Sequence, residues 1–408
     1  MRVRQHPALD AALYAGSAVF ALVAAASASI PLYREWGRFA VGPYAAGAAG
    51  AAYLAIRGAS NRARVWLALF VVVGAVLLPL GLEVAWRART SPGQHAQAEA
   101  ILTEEAAKAL VHGRDPYAVT YLHGPLATRP LGTKTHFPYL PGMIAFGLPR
   151  ALVGDGPIAD ARVWFGVATL AIGGAALAVA RSPASTRLRA LQWLVVLPTG
   201  ALLMATGGDD LPVLALMLLA VVLAGQDRPV AAGIALGVAA ATKQTAWILI
   251  PFLVVAIART DGRRVAGKLA AAGAVVAVPV IAAFALWNPG AFWEDAVRFP
   301  LGLGDQRSPA ATPTIGSALV HAVPDARTAL TLALVGVVAA FAVYLLVRRP
   351  PASVSGAAWR AAAVFAVGFV LAPAARFGYV VYPIDLLVWA SLSSRTGSPA
   401  QSVVSVDP

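Results

Sequence analysis

The feature that most constrains this chain is the recurrence of long apolar runs from one end to the other. Twelve such segments can be marked: 9–30, 40–57, 65–86, 162–180, 190–206, 210–225, 229–243, 245–258, 266–287, 327–347, 358–374 and 379–394. A soluble domain cannot cover so much apolar surface, whereas a bilayer accepts it in helices of about 20 residues. Composition agrees: 59% of the 408 residues are hydrophobic and 12% charged, with a mean hydropathy of +0.71. Soluble domains carry roughly 25% charged residues. With no cysteine, there is no disulfide framework, thiol nucleophile or Cys-ligated metal. The expected fold is all-α, a single polytopic membrane domain of about twelve transmembrane helices with juxtamembrane helices on its outer face. Several segments are shorter than a perpendicular crossing needs, so some are expected to be broken or tilted. The first begins Met-Arg-Val-Arg and contains Ala26-Ser27-Ala28, which mimics a cleavage site. Given the spans that follow, it reads as an uncleaved anchor.

Orientation comes from the cations. With the N-terminus inside and the segments alternating, 17 of the 32 Lys and Arg residues fall in short inside loops beside four acids. The other 15 cations face 15 acids outside. All of the +13 charge is therefore cytoplasmic, as the positive-inside tendency requires, and both termini are expected in the cytoplasm of a cell-membrane protein. The basicity marks topology and anionic lipid, not nucleic acid. Two outside segments, 87–161 and 288–326, are too long to be turns. Within the first, 137–153 is apolar but broken by Pro138, Pro141 and Pro149, and reads as an interfacial or re-entrant element.

The first outer loop also holds the richest chemistry. Residues 94–112 (QHAQAEAILTEEAAKALVH) predict a helix lying on the membrane surface, ending at Gly113 and carrying Glu99, Glu104 and Glu105. The plain reading of these glutamates is a solvated face, with Glu104 and Lys108 as an ordinary i,i+4 pair. Asp115 before Pro116 reads equally well as a turn organiser. Lys243 interrupts an apolar hairpin, where a cation either serves a site or snorkels. Arg376 opens the last outer turn beside Tyr379 and Tyr382, as a phosphate contact or an interfacial anchor. Asp209 and Asp210 follow Gly207-Gly208 at a helix start, as caps or as sugar-orienting acids. Asp385, inside the last span, needs a partner, for which Arg376 is the nearest cation in sequence. His112, His123 and His136 match no compact ligand spacing, so neither a metal nor a cofactor is expected.

The block HGRDPY (112–117), followed by THFPYLPG (135–142), resembles the GT-C class of membrane glycosyltransferases, in particular the polyprenyl-phosphate-mannose-dependent family 87. The resemblance continues through GGDDLPVLALMLLAVVLA (207–224) and AAGIALGVAAATKQTAWILIPFL (231–253) to ARFGYVVYP (375–383). It implies an acidic residue about sixteen positions before the Asp-Pro-Tyr block; here that residue is Glu99, a Glu where the family more often has Asp. It further implies inverting transfer of a sugar, most readily mannose, from a polyprenyl-phosphate donor to a lipid or glycan acceptor. Such transfer needs one carboxylate base and cations on the departing phosphate. Glu99 is the expected base and Asp115 the second candidate. Lys243, Arg376, His136, Lys134, Tyr117, Asp209 and Asp210 are the expected substrate contacts. The rival reading is a secondary transporter or flippase, which would place its ionisable residues at mid-membrane on broken helices and often show two similar halves. Here the acids cluster in outer loops.

Overall fold

The computed structural model describes residues 7–393 apart from positions 59 and 305. Arg2, Arg4, Arg395 and Asp407, which enter the charge count, lie outside them. The described chain is helical without strands. In chain order the main helices are α1 (Pro7–Ser27), α2 (Pro31–Arg57), α3 (Asn61–Arg87), α4 (Ala98–Val111), α5 (Pro141–Val153), α6 (Ala161–Val179), α7 (Ala184–Val196) and α8 (Pro198–Thr206). They continue with α9 (Asp210–Ala224), α10 (Pro229–Thr242), α11 (Gln244–Thr260), α12 (Arg263–Trp287), α13 (Ile315–Ala322), α14 (Pro324–Val347), α15 (Val354–Leu371) and α16 (Phe377–Leu392).

Every expected apolar segment is helical, but their lengths differ. Among the described residues seven helices (α1, α2, α3, α6, α12, α14 and α15) are long and apolar enough to cross a membrane; α7 with α8, bent by 43°, makes an eighth if counted as one span. The segments at 210–225, 229–243, 245–258 and 379–394 form shorter helices. One of them, α9, has 14 of its 15 residues buried, so protein rather than lipid surrounds it. By contrast, α12 and α14 leave most of their apolar surface uncovered, as lipid-facing helices do.

Local sequence sets the boundaries. Pro31, Pro198 and Pro229 occupy helix first turns, where a missing N–H costs nothing. Ser60 and Ser353 cap α3 and α15 by accepting backbone N–H bonds from Ala63 and Gly356. Small residues allow close packing of α10 on α12: a Cβ on Gly233 would lie 2.2 Å from the Leu269 carbonyl oxygen, and one on Gly237 2.5 Å from that of Gly273.

Buried ion pairs tie the two ends of the bundle. At one end Asp10 accepts from Arg64 Nε at 2.6 Å and Gln192 Nε2 at 3.1 Å and forms an ion pair with Arg189 Nη2 at 2.8 Å. At the other, where the two long loops lie, Arg87 donates to Glu104 at 2.6 and 2.9 Å and to Asp160 at 2.8 Å. Arg150 approaches the same Glu104 at 3.3 Å, and Ala161 N–H donates to it at 3.0 Å. This corrects the solvated-glutamate reading. Glu104 is buried and locks α4 to α3, α5 and α6, while Lys108 pairs with Glu105 at 2.9 Å. Accordingly α4 is covered by protein: nine of its fourteen residues are buried. The element at 137–153 is short and folded against α4, with Gly147 so near that a Cβ would meet the Thr103 carbonyl oxygen at 2.2 Å.

Candidate active site

At the loop end four helix termini converge on a cavity of about 240 Å³. Gly207 makes the approach possible, closing α8 in a left-handed conformation (φ 106°) that few residues other than glycine adopt. The chain then turns straight into Asp209 and Asp210 at the start of α9. Across from them α10 ends at Lys243, in extended backbone, before α11 begins. From the loop side comes Glu99 in the first turn of α4, and from the turn after α15 comes Arg376.

These five side chains form two ionic groups on one cavity. Lys243 Nζ donates to Asp209 Oδ1 and Asp210 Oδ1, both at 2.7 Å, and all three residues are buried. Tyr382 donates its hydroxyl to Asp210 Oδ1 at 2.7 Å and shares a 2.8 Å hydrogen bond with Thr245 Oγ1. The rings of Tyr139 and Tyr379 face the Lys243 ammonium at 5.2 and 5.9 Å, a cation–π arrangement. Neither aspartate caps its helix through its side chain. Burial pushes the Asp209 carboxyl above the ordinary range; Lys243 pulls it down, and Asp210 and Glu99 add to the rise. In the second group, Arg376 Nη1 pairs directly with Glu99 Oε1. Glu99 is only 7% exposed, and its other oxygen, Oε2, has no hydrogen-bond partner among the described residues. Asp385 does not receive Arg376: it lies fully buried in α16, both oxygens without a hydrogen bond among the described residues.

His136 also lines the cavity, its ring stacked on Phe299 at 4.1 Å and Nδ1 2.8 Å from the Thr135 hydroxyl. The other expected residues sit off the cavity walls. Asp115 accepts the Tyr117 backbone N–H at 3.0 Å, the turn-organising arrangement. Burial pushes its carboxyl up, partly offset by that bond. Tyr117 is buried and donates to the Tyr139 carbonyl at 2.9 Å, which makes it a brace behind the wall. Lys134 Nζ donates to the Ala127 carbonyl at 3.0 Å. Thr245, Gln244 and Tyr139 line the cavity although sequence reading did not single them out. Each lies inside or beside a motif quoted above, and neighbourhood to Lys243 or His136 was the available signal.

A second cavity of about 610 Å³ adjoins the first, and Glu99, Arg376, Thr133 and Pro309 line both. Glu99 therefore stands in the wall between two spaces.

The sequence profile of glycosyltransferase family 87 matches residues 137–373, more than half of the chain. The protein belongs to glycosyltransferase family 87. The matched region contains Asp209, Asp210, Lys243, Thr245 and the short α5, whereas Glu99 and Arg376 fall on either side of it. The chain is similar to the crystal structure of ArnT from Cupriavidus metallidurans in the apo state, at 18% identity and a TM-score of 0.44. That similarity covers 72% of this chain and 54% of that one, so the chain spans about half the length of that protein. No curated protein matches it. Helix content, apolar spans and family together describe a multi-pass membrane protein of a glycosyltransferase family.

Proposed function

We propose that this protein transfers a sugar, mannose in the first instance, from a polyprenyl-phosphate donor to a lipid or glycan acceptor at the outer face of the cell membrane, with inversion. One observation carries the reading: Glu99, Arg376, Lys243, Asp209 and Asp210, scattered over nearly three hundred residues, share one cavity at the end of the bundle where the long loops lie. A transporter would hold its charges along a path through the membrane.

The step balances with these groups. The acceptor hydroxyl gives its proton to Glu99 Oε2, the oxygen without a partner, while the acceptor oxygen attacks the anomeric carbon. The bond from that carbon to the donor phosphate oxygen breaks, and the phosphate leaves with the electron pair. Arg376 and Lys243 supply positive charge to it. A phosphate is a good leaving group, so no second carboxylic acid is required, unlike the paired carboxylates of glycoside hydrolysis. Arg376 is the more exposed member of the clamp, with 36% of its side chain accessible, and a phosphate can draw it away from Glu99. Lys243 is held twice and buried; its role is to fix the two aspartates, which are offered to sugar hydroxyls.

The test is transfer from a panel of radiolabelled polyprenyl-phosphate sugars by the purified protein in lipid. Glu99→Gln keeps shape but accepts no proton, and transfer should fall by roughly 10²–10⁴-fold while donor binding persists. Arg376→Met should raise the donor KM, and Asp115→Asn should stay near wild type. Near-normal transfer by Glu99→Gln with a dead Asp115→Asn would move the base to Asp115.

A further inference from the structure

Beside the second cavity, whose wall includes Glu35 and His95, three residues far apart in sequence come together. Glu35 comes from the first turns of α2, Glu83 from the last turns of α3, and His95 from the loop before α4. One ligand atom from each lies within 4.8 Å of the other two. His95 Nδ1 is 3.0 Å from Glu83 Oε2 and 3.7 Å from Glu35 Oε2. His95 is held in a left-handed backbone conformation (φ 55°), and its carbonyl accepts from Arg162 Nη1.

Charge makes this cluster unusual. Glu83 is 1% exposed, and its Oε1 has no hydrogen-bond partner among the described residues. The neighbouring guanidinium groups make hydrogen bonds to other acceptors. Arg162 grips Asp160 through Nε and Nη2, Arg87 holds Glu104 and Asp160, and Arg129 Nη2 donates to the Gly93 and Ala96 carbonyls. A buried carboxylate with one oxygen unsatisfied and a second carboxylate beside it is costly unless a proton neutralises the pair or a cation completes the group. A histidine proton can serve one carboxylate, but the 3.7 Å separation to Glu35 is too long for a hydrogen bond.

We propose that Glu35, Glu83 and His95 form a binding site for a divalent first-row transition ion of the Zn²⁺ type. Ligands at about 2.0–2.2 Å from such an ion stand roughly 3–3.5 Å from one another, close to the separations seen here. An imidazole with two carboxylates favours zinc-like ions over magnesium or calcium, which take oxygen ligands. Three protein ligands leave a coordination position open, and since Glu35 and His95 line the cavity, that position faces it. Its occupant there would be an oxygen ligand, a hydroxyl or phosphate, on the far side of the cavity bordered by Glu99. Metal binding does not depend on the transfer reaction, and the two stand or fall separately. It does depart from the sequence expectation of no metal, because none of these three residues has a ligand-like spacing.

The experiment uses tag-free, EDTA-dialysed full-length protein in detergent, titrated with Zn²⁺ while bound metal per chain and thermal unfolding are followed. Wild type should bind one ion per chain saturably, with a rise in unfolding temperature. Glu83→Gln and His95→Gln should weaken that binding by about tenfold or more. Glu35→Gln, on the open wall, serves as a third ligand variant should the buried Glu83 substitution fail to fold. Equal zinc uptake by wild type and the ligand variants, or no saturable uptake by wild type, overturns the proposal.

Discussion

Replacing Lys243 with methionine tests the buried ionic group most directly. The side chain keeps its length and apolar stem but loses an ammonium that makes two 2.7 Å charge-assisted bonds. Asp209 then has no donor at all among the described residues, since Lys243 is its sole hydrogen-bond partner and its Oδ2 is already without one. Asp210 keeps only the Tyr382 hydroxyl. Removing one member of a buried pair costs about 3–5 kcal/mol because the charge left behind is uncompensated. In a chain of this size that corresponds to a fall in unfolding temperature on the order of 5 °C. The loss should depend on pH with a definite sign. Burial already pushes the Asp209 carboxyl up and Lys243 opposes the rise, so without the lysine the folded state takes up a proton more readily. The deficit should therefore shrink as pH falls from about 8 to 6. Adding Asp209→Asn and Asp210→Asn to Lys243→Met removes both stranded charges and should restore most of the stability but not the activity. The assay is thermal unfolding of the purified protein in detergent, followed by tryptophan fluorescence. If Lys243→Met unfolds with the wild type at every pH, or the triple variant is no more stable than the single one, the ion group does not hold the site and the reasoning fails.

Two further outcomes follow from other parts of the fold. Asp295 is buried, accepts the Phe137 backbone N–H at 2.7 Å, and has its carboxyl pushed up to about 8, chiefly by burial. The folded state thus holds a proton that the unfolded state has released by neutral pH, so stability should decline as pH rises through about 8. Asp295→Asn keeps the acceptor oxygen and cannot ionise; melting curves between pH 6 and 9 should be flatter for it than for wild type, and identical slopes would contradict the argument. For topology, a Ser91→Cys variant places one thiol in an exposed stretch of a chain with no cysteine of its own. A membrane-impermeant maleimide should label it on intact cells, and labelling only after permeabilisation would reverse the orientation.

Much of the architecture could be read directly from the chain. Apolar runs, proline starts and glycine or serine boundaries gave all twelve helical segments, because a bilayer makes run length itself a constraint and backbone hydrogen bonds in a helix are local. The sequence also picked out Glu99, Lys243, Arg376, Asp209, Asp210 and His136, since charged groups beside apolar stretches stand out one by one. What it could not supply was their partners. Local spacing offered Lys108 to Glu104 and Arg376 to Asp385. The fold instead gives Glu104 to Arg87, seventeen residues away, and Arg376 to Glu99, on the far side of the chain. It likewise separates helices long enough to cross a membrane from short ones, such as α9, that sit inside the protein. Most clearly, it assembles Glu35, Glu83 and His95, none of them notable alone. Helix formation depends on neighbours along the chain, but a buried charge must find its counter-charge in space, and only the packing of helices decides which one it meets.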